Sequence, residues 1–343
     1  MKRLITPRAG NAEVLTVEEV ADPVPAAGEV VVAVRAAGLN FADVLARQGL
    51  YPDAPPFPNC MGYEFAGVVD TVGAEVAEEW QGRRVLGLTR FNAQAERVCV
   101  PVDQVFEMPE TMSFETAAAI PVNYLTAWQL LVVMGSLQPE DTVLIHNAGG
   151  GVGLAALDIA RHIGARSFGT ASPGKHGFLR ERGLHEAIDY RNQDWEAEVS
   201  RLTDGQGVEL VIDPIGGSHL KRSYRALCST GRLGMFGISA ASESGLLGRL
   251  KLLPAVAGMP LFHPVGLMNV NKGVFGVNMG HLWHETPRIR RWMKRLLEGY
   301  QEGWVRPHVD SVFSFAQAAD AHRQLELRRN QGKVILIPDA QTH

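Results

Sequence analysis

The spacing most indicative of chemistry is a cluster of four glycines in five positions, within TVLIHNAGGGVGLAALDIARHIGA. A β-branched run precedes these glycines, and apolar residues at helical spacing follow them. Gly150 and Gly151 allow the backbone to turn tightly and approach a ligand, and Gly153 allows the helix to pack on the strand. N–H groups at such a helix N-terminus bind a pyrophosphate. The pattern predicts a dinucleotide site at Gly150, Gly151, Val152 and Gly153, with a ligand-free turn as the alternative.

The end of the next predicted strand bears on which dinucleotide binds. An NAD site usually has Asp or Glu there, about 20 residues beyond the glycines, to bind the ribose hydroxyls. Here the strand RSFGTAS ends without an acid at Thr170 or Ser172, and PGKHGFLRERG follows it. Ser172, Lys175 and Arg180 could face a 2′-phosphate. We therefore predict NADP(H), with solvated surface cations as the alternative.

Alternating strands and helices must position these residues. Beyond about residue 120, apolar β-branched runs alternate with helical stretches such as LAALDIARHIG. This alternation predicts βαβ units and a doubly wound parallel sheet. The predicted strands are Thr142–His146, Arg166–Thr170, Glu186–Asp189, Val208–Asp213, Arg232–Phe236 and Gly273–Val277.

The chain before residue 120 has a different pattern. Short alternating runs broken by Gly and Pro, such as EVVVAVRAAGLN and FAGVVDTVG, predict a β-rich, barrel-like domain. From about residue 280 the chain returns to a mixed character and ends in GKVILIP. The fold class is therefore α/β, with a β-rich domain beside the parallel sheet.

Composition excludes several classes of function. The net charge of −4 gives no basic field for nucleic acid or an acidic membrane. Cys60, Cys99 and Cys228 are too scattered for a disulfide framework or a CxxC metal site. The chain has no GxSxG elbow and no HExxH motif. Without a signal peptide or an apolar membrane span, the sequence predicts a cytoplasmic protein with no integral membrane contact.

Four motifs occur in order along the chain: GLNFADVLARQGLY, MGYEFAGVVDTVG, AAAIPVNYLTAW and HNAGGGVG. Together they resemble those of the medium-chain dehydrogenase/reductase superfamily. Within it the chain is similar to the zinc-free quinone oxidoreductases. The segments GTASPGKHGFLRERG, IDPIGG and WVRPHVDSVFSFAQAADAH are similar to the vesicle amine transport protein branch. GTASPGK also resembles the enoyl reductase domains of polyketide synthases.

The resemblance implies a two-domain organisation. A GroES-like catalytic domain would comprise residues 1–122 and 279–343, and a Rossmann NADP(H)-binding domain residues 123–278. It also implies a homodimer joined edge to edge through the last Rossmann strand, GVFGV.

Departures from the superfamily's zinc enzymes decide the expected chemistry. In those enzymes a cysteine and the histidine of a GHE motif bind the metal, whereas here Asn40 lies near the cysteine position and Tyr63 replaces the histidine. Catalytic zinc needs three protein ligands. We therefore expect that the protein binds no metal. We expect it to transfer a hydride to a quinone or to an activated C=C bond.

The enoyl reductase resemblance suggests Tyr51 as the proton donor, because a phenol with a pKa near 10 stays protonated at neutral pH. Packing over the substrate is the alternative role for Tyr51. Asn40 is expected to contact the nicotinamide ribose or a substrate carbonyl, with turn capping as its alternative. Asp43 is expected to cap a turn, and His146 to make structural hydrogen bonds.

Further cofactor contacts follow from positions that match the family. Thr126 resembles a threonine facing the nicotinamide, and Tyr190 a tyrosine near the adenine-ribose phosphate. The others lie at expected strand ends or in a late loop, where core packing is the alternative. They are Phe236, Gly237, Ile238, Phe275, Gly276, Val277 and Asn330.

The segment from Gly245 to Leu267 is apolar but interrupted by prolines. We expect a flap over the active cleft or part of a dimer contact. The whole sequence therefore predicts an NADPH-dependent, zinc-free reductase of small hydrophobic quinones or enones. A non-catalytic NADPH-binding protein and an enoyl-thioester reductase are the alternatives.

Overall fold

The structure is a computed structural model that describes residues 1–239 and 258–339. The chain forms two compact units. The first unit comprises Met1–Val122, Gly280–Gln301 and Pro307–His343, and the second comprises Asn123–Met279 and Glu302–Arg306.

The strands of the described residues are numbered in chain order. They are β1 (Lys2–Ile5), β2 (Thr16–Glu19), β3 (Glu29–Leu39), β4 (Glu64–Val72), β5 (Arg84–Leu88), β6 (Arg97–Pro101), β7 (Val105–Glu107), β8 (Thr142–Ile145), β9 (Arg166–Ala171), β10 (Glu186–Asp189), β11 (Val208–Asp213), β12 (Leu227–Met235), β13 (Gly273–Gly276), β14 (Val309–Ser314) and β15 (Lys333–Ile337).

The α-helices of the same residues are numbered likewise. They are α1 (Phe41–Arg47), α2 (Phe114–Ala118), α3 (Pro121–Trp128), α4 (Gly151–Ile163), α5 (His176–Glu181), α6 (Trp195–Leu202), α7 (His219–Arg225), α8 (Pro264–Val270), α9 (Thr286–Gln301) and α10 (Ala318–Glu326).

The first unit is built on a mostly antiparallel sheet. Its strand order is β14-β15-β3-β4-β5-β7, with β6 also paired to β3. β3 is rich in β-branched residues that suit a pleated strand, and its Val30, Val32 and Val34 are buried against Phe65 of β4. The β-rich domain expected from the sequence is therefore present.

The second unit is built on a parallel sheet with the order β10-β9-β8-β11-β12-β13. All five strand pairs are parallel. The chain runs outward from β8 to β10, then crosses to β11 and runs outward the other way. The prediction of a doubly wound sheet is confirmed. Ligands bind such sheets at the carboxyl ends of the strands, where the order reverses.

Most predicted Rossmann strands agree with the observed ones to within one residue, but β12 begins at Leu227 instead of Arg232. Leu227 pairs with Val208, and the register of β11 on β12 then shifts before Leu210. Thr230 lies within this strand at a φ of 68°, a conformation that side-chain patterning does not reveal.

Residues 302–306 belong to the second unit, although the sequence prediction grouped them with the first. The Trp304 ring stacks on His162 with centroids 4.2 Å apart. The Arg306 N–H donates to the buried carboxylate of Asp158 at 2.9 Å. These two contacts attach the short segment to α4.

Candidate functional site

The glycine loop joins the central strand β8 to helix α4. A Cβ at Gly153 would lie 2.5 Å from the Asn147 carbonyl oxygen and 2.6 Å from that of Ala148. A Cβ at Gly151 would lie 2.5 Å from the Asn123 amide nitrogen. No side chain fits at Gly153, where backbone carbonyl groups lie too close, and one at Gly151 would displace the Asn123 side chain. The start of α4 therefore follows a glycine-rich turn of the kind that binds a pyrophosphate.

A buried hydrogen-bond network lies beneath this loop. His146 Nδ1 is 3.0 Å from Thr170 Oγ1, and His146 Nε2 is 3.2 Å from Ser223 Oγ. Ser223 donates to Asp213 Oδ2 at 2.6 Å, and His219 Nδ1 is 2.8 Å from the same oxygen. The network therefore links the carboxyl ends of β8, β9 and β11 to α7. His146 makes the structural hydrogen bonds expected of it.

The electrostatics of this network favour neutral His146 and ionised Asp213. Burial lowers the pKa of His146 to about 3. Burial alone would raise the pKa of Asp213, but the hydrogen bond from His219, the neighbouring imidazoles and Ser223 lower it below its usual range. Within the described ranges, the ligand atoms of His146, Asp213 and His219 lie within 4.8 Å of one another, close enough for a metal ion. Hydrogen bonds already account for this arrangement.

The residues predicted to select NADP(H) follow β9 and β10. Thr170 is buried, and its hydroxyl also accepts from the Asn147 N–H at 3.4 Å. Lys175 lies against the glycine loop, since a Cβ at Gly149 would be 3.7 Å from its Nζ. Ser172 precedes the turn that contains Lys175, and the ring of Tyr190 is 39% exposed just beyond β10.

The other predicted strand-end residues occupy the same edge of the parallel sheet. Phe236, Gly237 and Ile238 follow β12, with a Cβ at Gly237 only 2.8 Å from the Pro214 carbonyl oxygen. Phe275 and Gly276 end β13, and Val277 follows it. The structure therefore brings these residues to the edge where the glycine loop lies.

Four further predicted residues lie elsewhere. Thr126 is buried in α3, in the second unit. Asn330 is in the first unit, where its Nδ2 donates to the Gly332 carbonyl at 2.7 Å and supports the turn before β15. Asn40 and Tyr51 also belong to the first unit.

Asn40 is the N-cap of α1 and a member of a second buried polar network. Its backbone N–H donates to Asp43 Oδ2 at 2.7 Å, and the two residues form a reciprocal capping box. Its Oδ1 accepts from Lys333 Nζ at 2.7 Å, and its Nδ2 donates to Glu64 Oε1 at 3.0 Å. Lys333 also bonds to Glu64 directly. Each polar group of the Asn40 side chain therefore has a protein partner, and Asp43 caps α1 as expected.

Tyr51 lies in a small aromatic cluster of the first unit. Its ring is 6.3 Å from that of Tyr63 at 77°, and the Tyr63 ring is 5.5 Å from Phe91. Burial raises the pKa of the Tyr51 phenol, which therefore stays protonated at neutral pH. The geometry supplies what a proton donor needs: a protonated hydroxyl on a partly covered, apolar surface.

Sequence reasoning missed several residues that shape these sites. Lys333 reaches Asn40 from 293 positions away, and Trp283 joins the aromatic cluster from the far part of the chain. Asn123 limits the glycine loop from α3. No local spacing signals such contacts. The EFAGVV run did offer one signal, because Glu64 at the start of an apolar strand predicts a buried charge that needs a partner.

The apolar segment from Gly245 to Leu267 is described only in its second part, and residues 245–257 lie outside the described residues. In the described part, Met259 and Phe262 pack against the core of the second unit, whereas Leu261 is fully exposed. Across the two described ranges of the chain, none of the helices is both long and apolar enough to cross a membrane.

Comparisons with known proteins agree with this architecture. The chain matches the family model of the alcohol dehydrogenase GroES-like domain over residues 26–110 and that of zinc-binding dehydrogenase over residues 182–336. The synaptic vesicle membrane protein VAT-1 homolog of Homo sapiens is 40% identical over 319 residues, which cover 93% of this chain and 81% of that protein.

Solved structures extend the likeness. The Escherichia coli quinone oxidoreductase complexed with NADPH has a TM-score of 0.85 at 28% identity, covering 98% of this chain and 100% of that chain. The CurK enoyl reductase has a TM-score of 0.84 at 27% identity, covering 98% of this chain and 99% of that chain.

Proposed function

Because the chain belongs to the medium-chain dehydrogenase/reductase superfamily, we propose that it is an NADPH-dependent reductase of quinones or α,β-unsaturated carbonyl compounds. The observation that carries this proposal is the glycine loop at the carboxyl end of β8, where a side chain at Gly153 would clash with backbone carbonyl groups. A glycine-rich helix N-terminus at the edge where a parallel sheet binds ligands is suited to a pyrophosphate.

The residues around the loop fit NADP(H). Gly151, Val152 and Gly153 would offer N–H groups to the pyrophosphate, and Gly150, whose N–H donates to the Asn147 carbonyl at 2.9 Å, would shape the turn beside them. Lys175, whose side chain lies against the loop, would pair with the 2′-phosphate. When bound, the cofactor supplies the hydride, and the protein orients it and excludes water.

The remaining predicted contacts belong to the same proposal. In the second unit Thr170 and Ser172 would support the adenine side, and Tyr190 would cover the adenosine end. Thr126 would face the nicotinamide. Three groups of residues complete the proposed set: Phe236, Gly237 and Ile238; Phe275, Gly276 and Val277; and, from the first unit, Asn330 and Asn40. Asn40 Oδ1 already accepts from Lys333, and its Nδ2 already donates to Glu64. A contact between Asn40 and the ligand would therefore have to be made in addition to one of these bonds.

Tyr51 is the proposed proton donor. When a hydride adds to the β-carbon of an enone, or to a quinone, negative charge builds on the carbonyl oxygen. A phenol hydroxyl stabilises that charge by hydrogen bonding and then passes its proton to the product. Burial raises the pKa of Tyr51, which keeps the hydroxyl in its donor form throughout the physiological range.

We propose that the reaction needs no catalytic zinc. Tyr63 stands at the position of a metal-binding histidine, and a phenol is not among the usual ligands of zinc in proteins. Asn40, near the position of the cysteine ligand, has an amide side chain bonded to Lys333 and Glu64. A conjugated acceptor spreads the developing charge itself, so a Lewis acid is not required.

We also propose a cytoplasmic homodimer. Strand β13 is the outermost strand of the parallel sheet in the described ranges, and such an edge can pair with a second copy. Cys60, Cys99 and Cys228 are free thiols, as expected in a reducing compartment.

The proposal is tested by NADPH oxidation, followed at the absorbance of reduced nicotinamide, with a metal chelator present. The acceptors are 1,4-benzoquinone, 9,10-phenanthrenequinone, a medium-chain 2-enal and a crotonyl thioester, and NADH is the cofactor control. Turnover of the quinones or the enal that survives chelation is the expected result. Turnover of the thioester alone would favour an enoyl-thioester reductase.

A non-catalytic NADPH-binding protein is the second candidate. It is favoured by the name of a relative, since the VAT-1 homolog is named for a vesicle membrane and not for a reaction. NADPH binding without consumption of any acceptor in the panel would support this candidate and contradict the reductase.

A further inference from the structure

Two buried hydrogen-bond donors in the aromatic cluster of the first unit have no partner among residues 1–239 and 258–339. The Tyr63 side chain is 7% exposed, and its hydroxyl makes no hydrogen bond within the described residues. The same is true of the Trp283 indole N–H. A buried polar group left without a bond costs about 1–3 kcal/mol. Neither donor has an acceptor among the described residues, so each is available to a ligand or a water molecule.

The two donors belong to one cluster. Buried Ala46, Met61 and Tyr63 form its base, and partly buried apolar and aromatic residues surround them. The surrounding residues are Ala42, Tyr51, Ala54, Phe91, Val122 and Trp283. Because the surrounding members are only partly buried, a small molecule can approach the cluster, and an apolar wall strengthens any hydrogen bond made there.

Pairing between Tyr51 and Tyr63 would not remove the need for an acceptor. The Tyr63 hydroxyl points toward the Tyr51 oxygen closely enough to add to the rise that burial causes in the pKa of Tyr63 and to oppose the rise in that of Tyr51, although the contact falls outside ordinary hydrogen-bond geometry. Two hydroxyls that pair use only one of their two protons. One O–H and the indole N–H of Trp283 would still lack a partner.

The neighbouring residue explains how Tyr63 is aimed. Glu64 begins β4 and is bound by Lys333, by Asn40 and by the Val122 N–H at 2.7 Å. Tyr63 directly precedes β4 in a bend, and its ring lies near those of Tyr51 and Phe91. The bonds of Glu64 fix the start of β4 and thereby the backbone next to Tyr63.

We propose that the Tyr63 hydroxyl and the Trp283 N–H are substrate-binding donors that, beside Tyr51, hold the carbonyl oxygen of a neutral conjugated acceptor. The inference rests on the proposed reductase function and deepens it. Hydrogen bonds to this oxygen strengthen as negative charge develops on it, so Tyr63 lowers the barrier to hydride addition. Tyr51 delivers the proton, and Tyr63 keeps its own.

The test compares Tyr63→Phe and Trp283→Phe with the wild type and with Tyr300→Phe, a control that deletes a hydroxyl outside the cluster. Binding of 9,10-phenanthrenequinone and of phenanthrene is measured by calorimetry. The two probes share a ring system, and only the first has carbonyl oxygens. NADPH affinity, turnover and melting temperature are measured in parallel.

We expect Tyr63→Phe to weaken phenanthrenequinone about 5- to 10-fold, the value of one neutral hydrogen bond. Phenanthrene and NADPH should bind as in the wild type. Turnover should fall about 10- to 100-fold, because the bond strengthens with the developing charge. The melting temperature should stay equal or rise, since the variant buries no unbonded hydroxyl.

Two results would overturn the inference. The first is equal changes for both probes together with a lower melting temperature, which would assign Tyr63 a structural bond to water. The second is that both single variants keep the affinity and turnover of the wild type, while the wild type reduces acceptors of the panel. The reductase proposal would then stand, and the role of Tyr63 and Trp283 would be rejected. If the wild type reduces none of the acceptors, both proposals fail.

Discussion

The buried network of the second unit and the aromatic cluster of the first unit differ in whether their polar atoms are hydrogen-bonded. Beneath the glycine loop, Asp213 accepts from His219, Ser223 and two backbone N–H groups. In the aromatic cluster, the Tyr63 hydroxyl and the Trp283 N–H have no partner in the described chain. The first region completes its hydrogen bonds within the protein, and the second leaves two donors available to a ligand.

The difference separates scaffolding from binding. A satisfied network fixes one arrangement of strand ends and holds the glycine loop in place. Unsatisfied buried donors lower stability, and a ligand that makes the missing bond is one reason for them to persist. The network of Asn40, Glu64 and Lys333 belongs to the first type, although it adjoins the cluster. Breaking each type should therefore have different consequences.

The largest effect is expected from breaking a satisfied ion pair. Lys333→Met would leave the carboxylate of Glu64 buried without its cation, because both residues are almost fully buried. We expect a loss of about 3–5 kcal/mol in the free energy of unfolding, measured by urea denaturation. Lys333→Met combined with Glu64→Leu should recover most of that loss.

The matched control for this change is Lys294→Met, which alters an exposed lysine and should leave stability within about 0.5 kcal/mol. If Lys333→Met leaves the free energy of unfolding unchanged, the network does not stabilise the fold as proposed.

The next effect concerns the donor region. Tyr51→Phe should lower turnover on an enone about 100-fold, the scale of general acid catalysis, because the proton must then come from solvent. NADPH affinity should stay nearly intact, as checked by fluorescence titration. Unchanged turnover would dismiss Tyr51 as the proton donor.

A buried imidazole tests whether every unpartnered polar group serves a ligand. His322 is 1% exposed, and neither ring nitrogen has a partner in the described residues. Burial, with a smaller effect of nearby Arg47, lowers the pKa of His322 to about 3, from 6.5. Between these values the unfolded chain binds more protons, so stability falls as the pH falls from 6.5 toward 3.

His322→Leu should remove this pH dependence. The gain in the free energy of unfolding over the wild type should be about 2 kcal/mol larger at pH 5 than at pH 8. Thermal unfolding over that pH range measures it, with exposed His284→Leu as the control. Equal pH profiles for His322→Leu and the wild type would mean that His322 does not titrate as its burial requires. Turnover at pH 8 should not change, since the His322 side chain is buried and takes no part in the proposed reaction.

The smallest effect concerns cofactor choice. Lys175→Glu should weaken NADPH about tenfold, or about 1.4 kcal/mol, because a carboxylate would then face the 2′-phosphate. NADH should bind almost as in the wild type. Lys221→Glu, an exposed change in the same unit, is the control. Equal losses for the two cofactors would contradict the assignment of Lys175.

Local patterns determined much of the second unit. The alternation of apolar runs and helical stretches predicted the parallel sheet, and the glycines after Thr142–His146 predicted the loop at the start of α4. These features are readable because strand, turn and helix are neighbours in the chain and depend on short-range sterics. The start of β12 escaped prediction because its register is decided by pairing with β11.

The sequence by itself also named Tyr51, Asn40 and the replacement of a histidine by Tyr63. It could not say which of their polar groups would find partners. Only the tertiary structure brings Lys333 to Asn40 and Glu64, and Trp283 to the cluster that contains Tyr63, across more than 200 residues of chain. Hydrogen-bond satisfaction is a property of three-dimensional packing, so the folded structure alone separates the donors that are bonded from those that are not.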